Sequence, residues 1–194
     1  ERVGWVAAFL AMTLALAWPA MIHGRPAYFF DSVGYYSNGE SAVTWALKKL
    51  GVEPSAAVDV RYVRPGAAEQ AAPGSVVAIR ALAYSLVAYA AGYPGGVMNA
   101  LVAVQAAVAA AVLMIWWRRI APGGTWRAAL GAGLLLGAFS AAPWFSSYAM
   151  PDVFAGIGLL GFLILAAPGE RPLGAFSLTF VTLVIAFAFA AHAS

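Results

Sequence analysis

Val76-Val77-Ala78-Ile79-Arg80-Ala81-Leu82-Ala83-Tyr84-Ser85-Leu86-Val87-Ala88-Tyr89-Ala90-Ala91-Gly92 is the stretch on which the topology of this chain turns. Arg80 interrupts it and leaves residues 81–92 as a short apolar run. A run of about 10–14 apolar residues is a re-entrant or interfacial helix more often than a membrane span. An arginine held at mid-membrane would also cost about 2.5 kcal/mol or more. Pro94-Gly95-Gly96 then separates the stretch from the next apolar run. It lacks the strand-to-helix setting of a phosphate loop and reads as a turn.

On either side the pattern is plainer. A hydrocarbon core of about 30 Å takes roughly 20 helical residues. Residues 3–22, 96–117, 128–147 and 173–191 meet or approach that length, and 153–167 forms a shorter fifth run. Trp5, Trp18, Trp116, Trp117, Trp144 and Phe145 mark the ends of these runs, as an interfacial belt does. Composition agrees: 63% of the 194 residues are hydrophobic and 10% are charged, and mean hydropathy is +0.81. A soluble domain carries roughly 25% charged residues because water must wet its surface. The expected fold is therefore all-α, a polytopic transmembrane helix bundle, read as a single membrane domain over 1–194. The first run is too long for the apolar part of a signal peptide. The chain opens on Glu1 and stops just as an apolar run ends, so a missing C-terminal part is expected. With no cysteine, neither a disulfide framework nor a thiolate metal site is available. The net charge of +3 needs no nucleic-acid partner.

Residues 23–95 are expected to form a long external loop. Within it Ser37-Asn38-Gly39-Glu40 has capping-box spacing, and Val43, Ala46, Leu47 and Leu50 share one helical face. Lys48 and Lys49 followed by Gly51 supply a stop. These features predict an amphipathic surface helix over 39–50. Two topologies are compatible with this pattern. With 76–92 re-entrant, five spans result, and Arg2, Arg118, Arg119, Arg127 and Arg171 share one side. With 76–92 crossing, six spans result, and the long loop joins Arg118-Arg119 on one face. Charge counting leans to six, the short run with its arginine to five, and five is preferred.

Three features stand out as carriers of chemistry. Asp31 lies after the first run within Tyr28-Phe29-Phe30-Asp31-Ser32; Asp152 lies between two apolar runs in Ser146-Ser147-Tyr148-Ala149-Met150-Pro151-Asp152; Arg80 is the third. Five spans put all three at one outer face, whereas six put Asp31 and Asp152 on opposite faces. Each also has a plainer reading: a turn cap for Asp31, a helix-start carboxylate for Asp152, a snorkelling side chain for Arg80. His23 and His192 sit at helix ends without ligand-like neighbours. Gln105 reads as an interhelical hydrogen bond, and Gly131, Gly133, Gly137 and Ala141 as close helix packing.

The order of these parts resembles the N-terminal half of GT-C glycosyltransferases, the class that includes protein O-mannosyltransferases, oligosaccharyltransferases and lipid A aminoarabinose transferases. The matching pieces are Asp31, then Arg80-Ala81-Leu82-Ala83-Tyr84-Ser85-Leu86, then Val104-Gln105 with Trp117-Arg118-Arg119, and finally Met150-Pro151-Asp152. The resemblance implies sugar transfer from a polyprenyl-phosphate donor to an acceptor at the periplasmic or outer face. By it Asp31 would be the catalytic base or orient the acceptor, Arg80 would contact the donor phosphate, and Asp152 would position the acceptor or help hold a divalent cation, Mg or Mn. The chain departs from the family where Asp-Glu is Asp31-Ser32 and where Asp-x-Glu is Asp152-Val153-Phe154. The partners implied are the lipid bilayer and the lipid-linked donor, with membrane proteins as further candidates. The location implied is a bacterial inner membrane with a cytoplasmic N-terminus. Two other readings stand beside it: a non-catalytic structural or accessory subunit of a membrane complex, and a transporter or channel component. The transporter reading is weakened by the lack of charged residues inside the runs.

Overall fold

The computed structural model describes residues 1–28, 30–52, 81–92, 99–168 and 172–192, excluding the side chains of Phe30, Asp31 and Val33. These residues are all-helical: α1 (Arg2–His23), α2 (Phe30–Lys49), α3 (Leu82–Gly92), α4 (Asn99–Ile120), α5 (Trp126–Phe139), α6 (Ala142–Ser147), α7 (Asp152–Ala166) and α8 (Ala175–His192). Helices α1, α4 and α8 are each long and apolar enough to cross a membrane; α3, α5 and α7 are shorter apolar helices. At about 1.5 Å per residue, α1 and α4 are each about 33 Å long, against a hydrocarbon core of about 30 Å.

The run over 128–147 is divided in two. Helix α5 stops at Phe139, Ser140 is extended (φ −129°, ψ 169°), and α6 restarts at Ala142. Pro143 is the physical reason. In a continuous helix its ring would press on the Phe139 carbonyl, and it has no N–H to donate. Ser140 turns the corner: its Oγ donates to the Leu136 carbonyl (2.6 Å) and accepts from the Ala142 N–H (3.1 Å).

Helix α2 starts earlier than the sequence pattern suggests, so Ser37, Asn38 and Glu40 lie inside it rather than at its cap. Packing against α3 outweighs the local signal. Ser32, Tyr36 and Gly39 recur at helical spacing and are buried, and Tyr36 tilts against Tyr89 with ring centroids 5.3 Å apart. Burying the Tyr36 ring against Tyr89 is worth more than one exposed cap. The end of α2 obeys its stop signal. Gly51 takes the left-handed conformation (φ 72°), its N–H reaches the Lys48 carbonyl (3.1 Å), and the Val52 N–H reaches Leu47 (3.0 Å). This is the Schellman arrangement, which glycine adopts without a Cβ penalty. Of the stretch 76–92, residues 82–92 form α3. Residues 76–80, Arg80 among them, lie outside the described residues, as do 53–75 and 93–98.

Contacts between helix ends sort the bundle into two poles. At one pole a Cβ on Gly4 would meet the Trp126 ring, the Arg118 guanidinium sits 4.4 Å from the centre of the Trp5 ring, and Arg119 donates to the Ala167 carbonyl (2.7 Å). At the other pole Asn99 donates to the Gly24 carbonyl (3.4 Å) and the His192 ring lies 3.1 Å from the Pro151 carbonyl. Helices α1, α4, α5, α7 and α8 therefore alternate in direction along the chain. Helix α4 is the central one, touching α1, α3, α5, α6, α7 and α8. Its buried Ala106, Ala109 and Ala110 let those neighbours come close. Helices α1 and α5 run the same way, with Gly133 against Met12 and Gly137 against the Ala15 backbone. Trp18 Nε1 donates to the Gly137 carbonyl (3.1 Å) across that contact.

Candidate functional site

The pole that holds the end of α1 and the start of α7 is knitted together by polar bonds rather than by apolar packing alone. After α1 ends, the chain returns past Ala27, whose N–H donates to the Ser147 carbonyl (2.9 Å) and whose carbonyl accepts from the Ala149 N–H (3.0 Å). Ala27 and Tyr148 thus form a short parallel bridge. Four residues beyond the bridge on one strand is Asp31, in the first turn of α2. Four residues beyond it on the other is Asp152, the first residue of α7. The two carboxylate-bearing helix starts are therefore brought to one pole by one bridge. Nothing is described of the Asp31 side chain itself, and Arg80 lies outside the described residues. The structure thus brings together the helix starts that carry Asp31 and Asp152, and leaves the position of Arg80 open.

Beneath the bridge sits Gln105, fully buried in α4. Its Nε2 donates to the carbonyls of Ser146 (3.0 Å) and Tyr148 (2.9 Å). Its Oε1 accepts from the Tyr84 hydroxyl (2.9 Å). All four Gln105 hydrogen-bonding positions face polar demand in an apolar interior, and three are met by these bonds. Tyr84 belongs to the short apolar helix α3. Burial pushes its phenol well above the ordinary range, and Tyr35 and then Asp152 add to that, so it stays a donor. The Tyr84 ring meets Tyr35 edge-on at 5.0 Å and Phe154 at 6.3 Å. Ser147 completes the network, its Oγ accepting from the Ala20 N–H (3.3 Å) one residue after Pro19.

Asp152 itself is exposed. Its carboxylate makes no hydrogen bond or ion pair among the described residues, although it lies in the first turn of α7, where the helix dipole favours negative charge. It borders a cavity of about 390 Å³. Leu16 of α1, Ala109 and Leu113 of α4, Leu136 of α5 and Ile157 and Leu160 of α7 give the cavity an apolar wall, with Ser146 beside Asp152 as its other polar side chain. The backbones of α5 and α7 stay more than 8 Å apart at every Cα pair, and the cavity lies between them, floored by α4. The arrangement is a carboxylate at the head of an apolar slot.

The donor set for a divalent cation is a separate question. Among the described residues no three His, Asp or Glu side chains converge, and the two residues after Asp152 are Val153 and Phe154. The described residues around Asp152 do not supply the donor set of a divalent cation. His23 is exposed, and His192 faces a main-chain carbonyl. Sequence reading held Tyr84, Ser146 and Ser147 only as parts of longer motifs and gave them no role of their own. Gln105 was the visible signal, because a lone amide in an apolar helix must find partners. No protein-family model, curated protein or solved structure matches the chain.

Proposed function

We propose that this chain is the membrane core of a glycosyltransferase of the GT-C type, with α1, α4, α5–α6, α7 and α8 as five spans and α2–α3 resting on the outer pole. The observation that supports this reading is the pairing of two aspartate-bearing helix starts by the Ala27–Tyr148 bridge, above an apolar slot that opens at Asp152. A lipid-linked donor needs both halves of such a site: an apolar channel for the polyprenyl chain and polar groups where its phosphate leaves the hydrocarbon.

Each residue then has a role in the transfer. The acceptor hydroxyl attacks the anomeric carbon of the donor, forming the new glycosidic bond. The bond from that carbon to the phosphate oxygen breaks, and polyprenyl phosphate departs with the electron pair. The acceptor proton passes to a carboxylate, Asp31 in this reading, a step worth typically about 10²–10⁴-fold. Arg80 neutralises charge on the departing phosphate, for which a guanidinium fork is suited. Asp152 orients the acceptor from the head of the slot.

The test uses the full chain in lipid nanodiscs with synthetic polyprenyl-phosphate mannose, glucose and arabinose, and monitors release of polyprenyl phosphate by chromatography. Turnover with one donor, lost in Asp31→Asn and in Asp152→Asn, supports the assignment. Absence of turnover with every donor, together with no binding of polyprenyl phosphate, would sink it.

A further inference from the structure

The opposite pole holds a second cavity, of about 410 Å³, that the glycosyl-transfer reading does not use. Arg118 and Arg119 at the end of α4, Trp5 of α1, the turn at Gly124 and the start of α8 frame it. Arg118 is exposed but fixed by its stacking on Trp5, at 4.4 Å. Arg119 is half-buried, and one of its Nη atoms braces on the Ala167 carbonyl. Facing them is the N-terminus of α8. Its first helical bond runs from the Leu178 N–H to Gly174 (3.0 Å), so the N–H groups of Ala175, Phe176 and Ser177 have no acceptor inside the helix. No acidic residue occupies that first turn to offset the positive end of the dipole. Trp117 Nε1 is buried against Gly124 of the cavity wall and has no hydrogen-bond partner among the described residues. Among the described lining residues Glu1 is the carboxylate, and it is exposed.

Two guanidinium groups, the N-terminus of α8 and Ser177 line one space. That is the chemistry of an oxyanion with several acceptor oxygens. We propose that this cavity binds a phosphate group, supplied by the headgroup of an anionic phospholipid. Lipid is favoured over free phosphate because Ile115 and Leu173 line the same cavity as the arginines. Headgroup and acyl chain are thereby met together. Basic pockets between membrane helices recognise phospholipid headgroups in this way. Nothing at this pole depends on the glycosyl-transfer chemistry at the other.

The test measures quenching of tryptophan fluorescence in the full chain, reconstituted in phosphatidylcholine vesicles with a rising fraction of brominated phosphatidylglycerol. Trp5 lines the cavity and Trp117 adjoins it, so occupancy is read as quenching by brominated phosphatidylglycerol in excess of that by brominated phosphatidylcholine, which the other tryptophans of the chain report equally. Half-maximal quenching is expected at a mole fraction well below that for brominated phosphatidylcholine. In Arg118→Gln/Arg119→Gln it should require about thirty-fold more lipid, given about a factor of five per lost charge. Ser177→Glu, which leaves both arginines in place, should weaken it as well, so the result does not hang on one variant. Arg127→Gln, at the same pole but away from the cavity, should leave it unchanged. Displacement of the brominated lipid by millimolar inorganic phosphate would uphold a phosphate site and reassign its source to free phosphate; no displacement upholds the lipid. Equal quenching by both brominated lipids, or equal loss in Arg127→Gln, would overturn the proposal.

Discussion

Replacing Gln105 by leucine removes the centre of the polar network that ties α3, α4 and α6 together. The three bonds it makes, at 2.9, 3.0 and 2.9 Å, are all in buried or half-buried surroundings. Interhelical hydrogen bonds in membrane proteins are worth about 0.6 kcal/mol on average and up to about 1.7. Leucine also strands the Tyr84 hydroxyl and two main-chain carbonyls, at about 1–3 kcal/mol for each one that finds no new partner. Leucine restores some apolar contact, and the carbonyls keep a second lone pair for other donors. The net effect is a loss of about 2–4 kcal/mol. The assay is unfolding of the full chain from lipid micelles by SDS, read by far-ultraviolet circular dichroism. Tyr84→Phe alone should cost about 1 kcal/mol, and the double variant should fall short of additivity by a similar amount, because both changes delete the same bond. A cost below about 0.5 kcal/mol for Gln105→Leu would refute the network as the clamp on the Ser146–Tyr148 segment, and strict additivity would refute the Tyr84–Gln105 bond as part of it.

Four further outcomes are expected. Gly137→Leu should destabilise by about 1–3 kcal/mol, because even a Cβ there would lie 2.7 Å from the Ala15 carbonyl oxygen; Gly131→Ala, with open space around it, should be neutral or stabilise by up to about 1 kcal/mol, both read in the same SDS titration. Gly39→Val should separate α2 from α3, since its Cβ would run into the Ser85 carbonyl; faster proteolysis of α2 with the rest of the bundle intact is the expected sign. Asp152→Asn should change stability by less than about 0.5 kcal/mol, since the side chain is exposed and unpaired among the described residues; an equally stable variant that loses donor turnover separates a functional carboxylate from a helix cap.

The parts of the fold that could be read in the sequence are those decided by local composition. Helices α1 and α4 announce themselves as long apolar runs with aromatic and basic ends, and lipid as solvent is implied by charge content alone. Local signals misled where packing competes with them. Ser37 to Glu40 has the spacing of a helix cap, yet Tyr36 and Gly39 are buried against α3, so the helix runs straight through. The break between α5 and α6 was readable in principle from Pro143, but the surrounding run is apolar enough to pass for one continuous helix. The candidate site was legible as a pair of aspartates and no further. What joins their helix starts is a main-chain bridge between Ala27 and Tyr148. The amide that supports it bonds to carbonyls 41 and 43 residues away. Main-chain acceptors leave no mark on residue identity, so that half of the site is invisible before the fold is known.

A shared outer face for the helix starts carrying Asp31 and Asp152 can be probed by thiol labelling, because the chain is free of cysteine. Single cysteines at His23, at Asp152 and at Gly123 would be exposed to a membrane-impermeant maleimide in intact cells, then again after permeabilisation. His23→Cys and Asp152→Cys should label from outside, and Gly123→Cys only once the membrane is opened. Labelling of His23→Cys and Asp152→Cys from opposite sides would rule out a common outer site.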